Sequence, residues 1–316
     1  MLLTISMIVM GNQPLVVPCL ESIYAQTSID CEIFLVNNLA SPDLIQQISK
    51  QFPQVKIIHN SRRLSFAANN NQVMRRSNGQ FILLLNDDTL ILDHALDQMV
   101  DFMLAQPSDV GIAGCTNLDA QRNFTLTCFP FLTAKRVIWQ HIKLGRWFPG
   151  LFNEEYLFRA RGKDPFSADW VQGSCMLIRR EVIDKVGYLD ENFFLYSEEV
   201  DYCYRALQAG FSTYQFPQAR IIHYGSVSTN RAIPIKIRGG YLSTLYFFAK
   251  HDLNHDLRLI RPWFVAELLA KSAARGAGIL TGYPPDAGER LKAYLELIRL
   301  CVTYRGQPAL ELINWE

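Results

Sequence analysis

The 316-residue chain predicts an α/β protein built on a mostly parallel sheet flanked by helices, with a helical C-terminal extension. Three observations carry that expectation. Over the first 115 residues, short apolar runs alternate with amphipathic stretches, the rhythm of repeated strand–helix units. The runs are apolar at nearly every position, as strands are when helices cover both faces of their sheet. Beyond about Ala232 the strand-like runs stop and helical spacing takes over.

Taken in order, Leu3 to Val9 reads as the first strand. A Gly11-Asn12-Gln13-Pro14 break follows, and Leu15, Cys19 and Ile23 then recur at helical spacing. Glu32 to Val36 is the second strand, Pro42 to Gln51 a helix, Val55 to Ile58 the third strand and Ala67 to Arg76 a helix. Phe81 to Leu85 forms the fourth strand; Ala95, Met99 and Phe102 mark a helix, and Val110 to Gly114 another strand. The stretch from Asn123 to Phe166 is rich in aromatic and basic residues and broken by Pro130, Gly145, Pro149, Gly150 and Gly162. It reads either as an insertion or lid, or as an ordered loop and helix packed on the core. Val171 to Ile178 and Ala219 to Tyr224 are strand-like, and Val200 to Gln208 is a helix closed by Gly210. In the tail, Leu291, Tyr294, Leu295, Ile298 and Val302 form an apolar stripe, with Glu289, Lys292, Glu296 and Arg299 opposite. Two parts are expected, 1–232 and 233–316.

Composition narrows the function classes. With 49% hydrophobic and 19% charged residues the chain is globular. A formal net charge of +1 excludes the basic excess of a nucleic-acid binder. The cysteines Cys19, Cys31, Cys115, Cys128, Cys175, Cys203 and Cys301 are scattered and form no CxxC pair. They read as reduced thiols in a cytoplasmic compartment, not as a disulfide or zinc framework. Met1 to Val9 lacks the basic lead of a signal peptide, and no run of about 18 apolar residues predicts a transmembrane helix. No G-x-G-x-x-G follows the first strand, which sets aside a dinucleotide oxidoreductase.

Three groups of residues carry candidate chemistry. Asn86-Asp87-Asp88 follows the strand Phe81–Leu85, at the strand end where open α/β sheets bind ligands. Oxygen ligands there suit Mg²⁺ or Mn²⁺; the alternative is a turn and a helix cap. Glu198, Glu199 and Asp201 open a helix after Phe193-Phe194-Leu195-Tyr196. Acids are favoured in a first helical turn on dipole grounds alone, and Asp201 is spaced to pair with Arg205. A carboxylate among acids and aromatics also suits a general base of raised pKa. His223 ends a strand, where it is either a hydrogen-bonded structural residue or a ligand.

Leu83-Leu-Leu-Asn-Asp-Asp-Thr89, Asp169-Trp-Val-Gln-Gly-Ser-Cys-Met-Leu-Ile-Arg-Arg180, Val186-Gly-Tyr-Leu-Asp-Glu-Asn-Phe-Phe194 and Ser197-Glu-Glu-Val-Asp-Tyr-Cys-Tyr-Arg205 occur in this order. Together with Leu64-Ser-Phe-Ala-Ala-Asn-Asn-Asn71 and Ala219-Arg-Ile-Ile-His-Tyr-Gly225, they resemble family 2 glycosyltransferases of GT-A fold over roughly residues 3 to 230. The likeness is greatest to the rhamnosyltransferase and galactofuranosyltransferase branch. The resemblance implies a Rossmann-like catalytic domain over 1–232, with a nucleotide-binding half to about 115 and an acceptor-side half after it. It implies that Asn86-Asp87-Asp88 is the DxD motif, that Asp88, Asn86 and His223 hold Mn²⁺ or Mg²⁺, and that Glu199 is the catalytic base with Glu198 and Asp201 in support. Asn37, Asn71, Asp87, Trp170, Gly173 and Ser174 then fall on the donor and acceptor pocket. The implied reaction is an inverting transfer from a dTDP-rhamnose or UDP-sugar type donor to a glycan or lipid-linked glycan acceptor, in bacterial surface polysaccharide synthesis.

Two departures accompany the likeness. The loop Val9-Met10-Gly11-Asn12 lacks the Asn-Tyr or Tyr-Asn often seen there, and Val36-Asn37-Asn38 replaces an aspartate that commonly reads the base. They leave an alternative, a catalytically degenerate binding module of the same fold in a glycan-assembly complex. Arg62 and Arg63 stand ready for phosphate or are solvated. Arg258, Arg261, Lys271 and Arg275 lie near Trp263 and Phe264, loosely like an interfacial helix. Peripheral contact with the inner face of the cell membrane through the C-terminal helices is one expectation, ordinary packing the other.

Overall fold

The computed structural model describes residues 1–11, 13–142, 154–193, 195–225, 233–281 and 286–312. Asn12, Gly145, Pro149, Gly150, Phe194 and Ala232, named above, lie outside the described residues. The chain forms two compact units, each discontinuous in sequence. The first comprises Met1–Phe131, Asn153–Asp190 and Glu199–Ser228; the second comprises Leu132–Phe152, Glu191–Glu198 and Thr229–Glu316.

The elements run β1 (Leu3–Gly11), α1 (Val16–Gln26), β2 (Cys31–Ala40), α2 (Pro42–Gln51), β3 (Lys56–His59), α3 (Phe66–Arg76), β4 (Phe81–Asn86) and β5 (Thr89–Ile91). Then come α4 (Ala95–Ala105), β6 (Val110–Leu118), β7 (Phe124–Thr125), β8 (Cys128–Phe129), α5 (Ala134–His141), α6 (Glu154–Arg161), β9 (Phe166–Ala168), β10 (Trp170–Val171) and β11 (Cys175–Arg179). The chain continues through α7 (Arg180–Val186), α8 (Glu198–Gln208), β12 (Ser212–His223), α9 (Ile233–Lys250), α10 (Asn254–Thr281) and α11 (Ala287–Thr303).

The main sheet has the order β3-β2-β1-β4-β11-β6-β12-β5, with β7 added on β6 and β9 on β12. Strands β3, β2, β1 and β4 are parallel, as are β6 and β12. Strand β11 runs antiparallel to both β4 and β6. The sheet is therefore mixed. The chain enters β11 at the carboxyl end of β4, directly from the separate β8–β10 ribbon, and from there it can only run back. From β1 the crossovers run outward to β2 and β3, and the next one returns past β1 to place β4 on its other side. Strand order thus reverses at β1, the kind of switch point beyond whose strand ends open α/β sheets bind ligands.

Alternation along β4 explains its unbroken apolar run. Phe81, Leu83 and Leu85 join one core cluster, whereas Ile82 and Leu84 join the cluster on the opposite face. On β1, Leu3, Ile5, Met7 and Val9 face the first cluster. Thr4 and Ser6 are buried on the other face and donate to Glu32 Oε1 and Asn70 Oδ1. Ser65 caps α3, its hydroxyl accepting from the Ala68 N–H at 3.2 Å.

Two expectations change in the fold. Val171 to Ile178 is not one strand: β10 pairs with β8, β11 joins the main sheet, and Gln172 to Ser174 turn between them. Gly173 allows the turn to close on α3, since a Cβ there would come within 3.0 Å of Phe66 Cζ. The stripe read on α11 is out of phase as well. Ala293, Tyr294, Leu297 and Cys301 are buried, whereas Leu295 and Val302 are 54% and 59% exposed. Packing against α9 and α10 sets the buried face of α11.

The second unit holds α5, α9, α10 and α11. At its centre Glu267 of α10 meets His141 Nδ1 at 2.7 Å, the Tyr241 hydroxyl at 2.8 Å and Lys271 Nζ at 2.6 Å. Among the described residues no helix is long and apolar enough to cross a membrane.

Candidate active site

The turn after β4 carries Asp87 and Asp88 beyond the carboxyl end of that strand. Thr89 Oγ1 donates to the Asn86 carbonyl at 2.8 Å and closes the turn. Strand β5 then lies antiparallel against β12 with Thr89 opposite His223, and the Tyr224 N–H donates to the Asp88 carbonyl at 3.0 Å. This register brings together residues far apart in sequence. His223 Nε2 stands 3.2 Å from Asp88 Oδ1 and 3.1 Å from the Asn86 side-chain amide.

The cluster is acidic and dry. Asp88 is 4% exposed and Asp87 8%. Burial pushes the Asp87 carboxyl up to about 8, the Asp88 charge adds to this, and its own backbone N–H pulls weakly the other way. No lysine or arginine pairs with either acid among the described residues. The donor set fits a hard or borderline divalent ion: one carboxylate, one imidazole nitrogen and one amide oxygen. Among the described residues no group of three His, Cys, Asp or Glu gathers at one point. Any ion here therefore takes its remaining ligands from water or phosphate, as Mg²⁺ commonly does.

Glu199 reaches the same end of the sheet from α8. Tyr196 and Ser197, just before that helix, both hold φ of 70°, a costly conformation for two consecutive side-chain-bearing residues. The Gly173 N–H donates to the Glu199 carboxylate. Glu199 Oε2 is sealed from solvent and has no hydrogen-bond partner among the described residues. Burial raises the pKa above the usual carboxylate range, and bonds from its own N–H and that of Gly173 only partly offset this. Beyond Gly173, the Ser174 carbonyl accepts from the Asn86 N–H at 3.0 Å, and Ser174 Oγ accepts from Asn117 Nδ2 at 2.9 Å. A continuous run of bonded neighbours thus links Glu199 to Asn86, His223 and Asp88.

The remaining sequence candidates have varied settings. Trp170 stacks on Phe129 at 4.8 Å and donates from Nε1 to the Pro130 carbonyl at 3.0 Å. Asn37 Oδ1 accepts from the Ala40 N–H at 2.8 Å, and its amide nitrogen meets His59 Nδ1 at 3.1 Å. Asn71 is engaged inside the fold, donating to the Leu189 carbonyl at 2.9 Å and accepting from the Leu189 N–H at 3.0 Å. Asp201 is fully buried and pairs with Arg205 Nε at 2.8 Å, as its helical spacing predicts. Glu198 is buried at the start of α8, while Arg62 and Arg63 are exposed. Arg261 donates to the Cys301 and Val302 carbonyls, Lys271 pairs with Glu267, and Phe264 is buried.

Residues 7–241 match the family described as glycosyltransferase like family 2. The chain belongs to that family. Its fold agrees: a mannosyltransferase from Pyrobaculum calidifontis, solved in complex with GDP-Man and Mn²⁺, superposes with a TM-score of 0.56 at 16% identity, covering 98% of this chain and 85% of that one. This is a GT-A glycosyltransferase fold. The low-salt glycan biosynthesis hexosyltransferase Agl10 of Haloferax volcanii is 25% identical over 79% of this chain and 80% of its own length. The N-acetylglucosaminyl-diphospho-decaprenol L-rhamnosyltransferase of Mycobacterium tuberculosis is 36% identical, but over only 25% of this chain and 26% of its own length.

Sequence reasoning missed Asn117, Thr89 and the His59 partner of Asn37. The available signal was positional: His59 and Asn117 are polar residues at or next to the carboxyl end of a strand, and Thr89 directly follows the acidic turn after β4.

Proposed function

We propose that this family 2 protein, with 1–232 as its catalytic domain, transfers a sugar from a nucleotide-sugar donor of dTDP-rhamnose or UDP-sugar type to a hydroxyl of a glycan or lipid-linked glycan acceptor, with inversion. Bacterial surface polysaccharide synthesis at the inner, cytoplasmic face of the cell membrane is the corresponding setting. The observation that carries the reading is the meeting of Asp88 and His223 at 3.2 Å, joined through Ser174 and Gly173 to Glu199.

Asp88 and His223, with the Asn86 amide oxygen, would hold Mn²⁺ or Mg²⁺. A divalent cation there supplies charge neutralisation at the donor's diphosphate. Asp87, 8% exposed, lies beside this set on the donor side. Gly173 and Ser174 shape the floor between donor and acceptor, with Trp170 at its side and Asn37 toward the base. Glu199 takes the proton from the acceptor hydroxyl as that oxygen attacks the anomeric carbon. Its raised pKa makes it a stronger base than an exposed glutamate while leaving it ionised on the alkaline side of that value. The diphosphate leaves from the opposite face, so a single displacement inverts the centre. Holding the two reactants in line supplies much of the acceleration.

A thermal-shift screen of UDP-, dTDP- and GDP-sugars with Mn²⁺ identifies the donor. With that donor, Glu199→Gln is expected to bind it as the parent does and to lose transfer by about 10²–10⁴-fold. Near-parental turnover removes Glu199 from the role. Binding without any donor hydrolysis or transfer by the parent favours the degenerate-module alternative.

A further inference from the structure

We infer that Asn117 is the positioning residue for His223, holding the imidazole with Nε2 toward Asp88. The inference rests on the reading of Asp88 and His223 as cation ligands. Asn117 is 1% exposed near the end of β6. It lies opposite Ile221 of β12 on one side and Thr125 of β7 on the other. Thr125 Oγ1 donates to its carbonyl at 3.1 Å, so pairing on both sides sets where its side chain leaves the sheet. Its amide nitrogen comes within 3.4 Å of His223 Nδ1 and 2.9 Å of Ser174 Oγ, while its Oδ1 lies 4.0 Å from Cys115 Sγ.

An imidazole that offers Nε2 to a cation carries its proton on Nδ1, and that N–H needs an acceptor. Asn117 supplies one when its amide presents Oδ1 to the ring. The Ser174 hydroxyl, able to donate as well as accept, then donates to the same oxygen. With the amide as it stands, Nδ2 donates to a bare Nδ1 and to Ser174 Oγ, and Nε2–H donates to Asp88 once the Asn86 amide turns its oxygen toward the ring. Half-turns of the Asn117 and Asn86 amides thus serve both ring tautomers with no displacement of the backbone. A carboxylate at this position serves only the first, and an alkyl group neither. Ser174 extends the arrangement, because its carbonyl receives the Asn86 N–H and its neighbour Gly173 donates to Glu199.

The test measures free Mn²⁺ by electron paramagnetic resonance in the presence of inorganic pyrophosphate, for the parent and for Asp88→Ala, Asn117→Leu and Asn117→Asp. The parent is expected to bind and Asp88→Ala to lose binding. Asn117→Leu should weaken binding about ten-fold or more, and Asn117→Asp, which keeps the acceptor, should stay near the parent. A second measurement needs no substitution: ¹⁵N spectra of the parent's histidines with Mg²⁺ and pyrophosphate should show His223 as the Nδ1–H tautomer. Parental Mn²⁺ affinity in a folded Asn117→Leu, with binding lost in Asp88→Ala, overturns the role of Asn117 and leaves the cation site standing. Persistence of the Nε2–H tautomer with Mg²⁺ bound overturns it equally. Binding untouched by Asp88→Ala overturns the cation site and the inference together.

Discussion

Glu267 in the helical unit and the Asp87–Asp88 pair in the sheet unit are both carboxylates withdrawn from water, and they differ in what faces them. Burial alone would raise the pKa of Glu267. Hydrogen bonds from His141 and Lys271, and their charges, outweigh burial and bring it down to about 2. At Asp87, burial and the neighbouring Asp88 act in the same direction and lift it to about 8. One cluster holds the protein's own lysine against its carboxylate. The other gathers two acids, an amide and an imidazole without a lysine or arginine among the described residues, an arrangement that costs stability.

Changing each cluster in turn tests the contrast. The largest effect on stability is expected from Glu267→Ala, which strands His141, Tyr241 and Lys271 around a cavity. Unfolding in denaturant should register a loss of about 3 kcal/mol; an unchanged midpoint would mean the network is not neutralising anything of consequence. Asp87→Asn should act in the opposite sense, raising metal-free stability at neutral pH by about 1 kcal/mol or more. The sign follows from linkage. Because the folded-state pKa of Asp87 lies above its ordinary 3.8, its contribution favours the folded state at low pH and is lost as pH rises from about 3.8 toward about 8. Glu267 behaves inversely: its stabilisation is present above 4.5 and lost as pH falls toward about 2. Thermal melts of the metal-free parent across pH should carry both slopes, and Asp87→Asn should flatten only the first. The smallest expected effect concerns rate. Since burial raises Glu199, the acid limb of kcat/KM should lie above the ordinary glutamate value of 4.5. A limb at or below that value would show that Glu199 is solvated when it acts.

Legibility in the sequence followed the periodicity that burial imposes. β1, β4 and the helices between them were readable because each strand is covered on both faces and each helix shows one apolar side. β5, β9 and β10 were not. Segments of two or three residues have no periodicity of their own, and their pairing is decided by partners far away in the chain. The α11 stripe misled for a related reason: Leu295 and Val302 are as apolar as Leu297, and only the packing partners determine which of them is covered. At the candidate site, Asp88, Glu199 and His223 stood out through ordered motifs. Asn117 did not, because an asparagine at a strand end carries no motif.

By itself, then, the order of residues determined the α/β class, the strand ends at which acids and a histidine appear, and the pairing of Asp201 with Arg205 along one helix. Those properties depend on neighbours within about one turn or one strand. The tertiary structure decided that His223 lies beside Asp88, that Asn117 and Ser174 stand between them and Glu199, and that Glu267 is neutralised while Asp87 is not. Each of these depends on the register of strands or the packing of helices brought together from distant positions, and on the loss of water that occurs only when they meet.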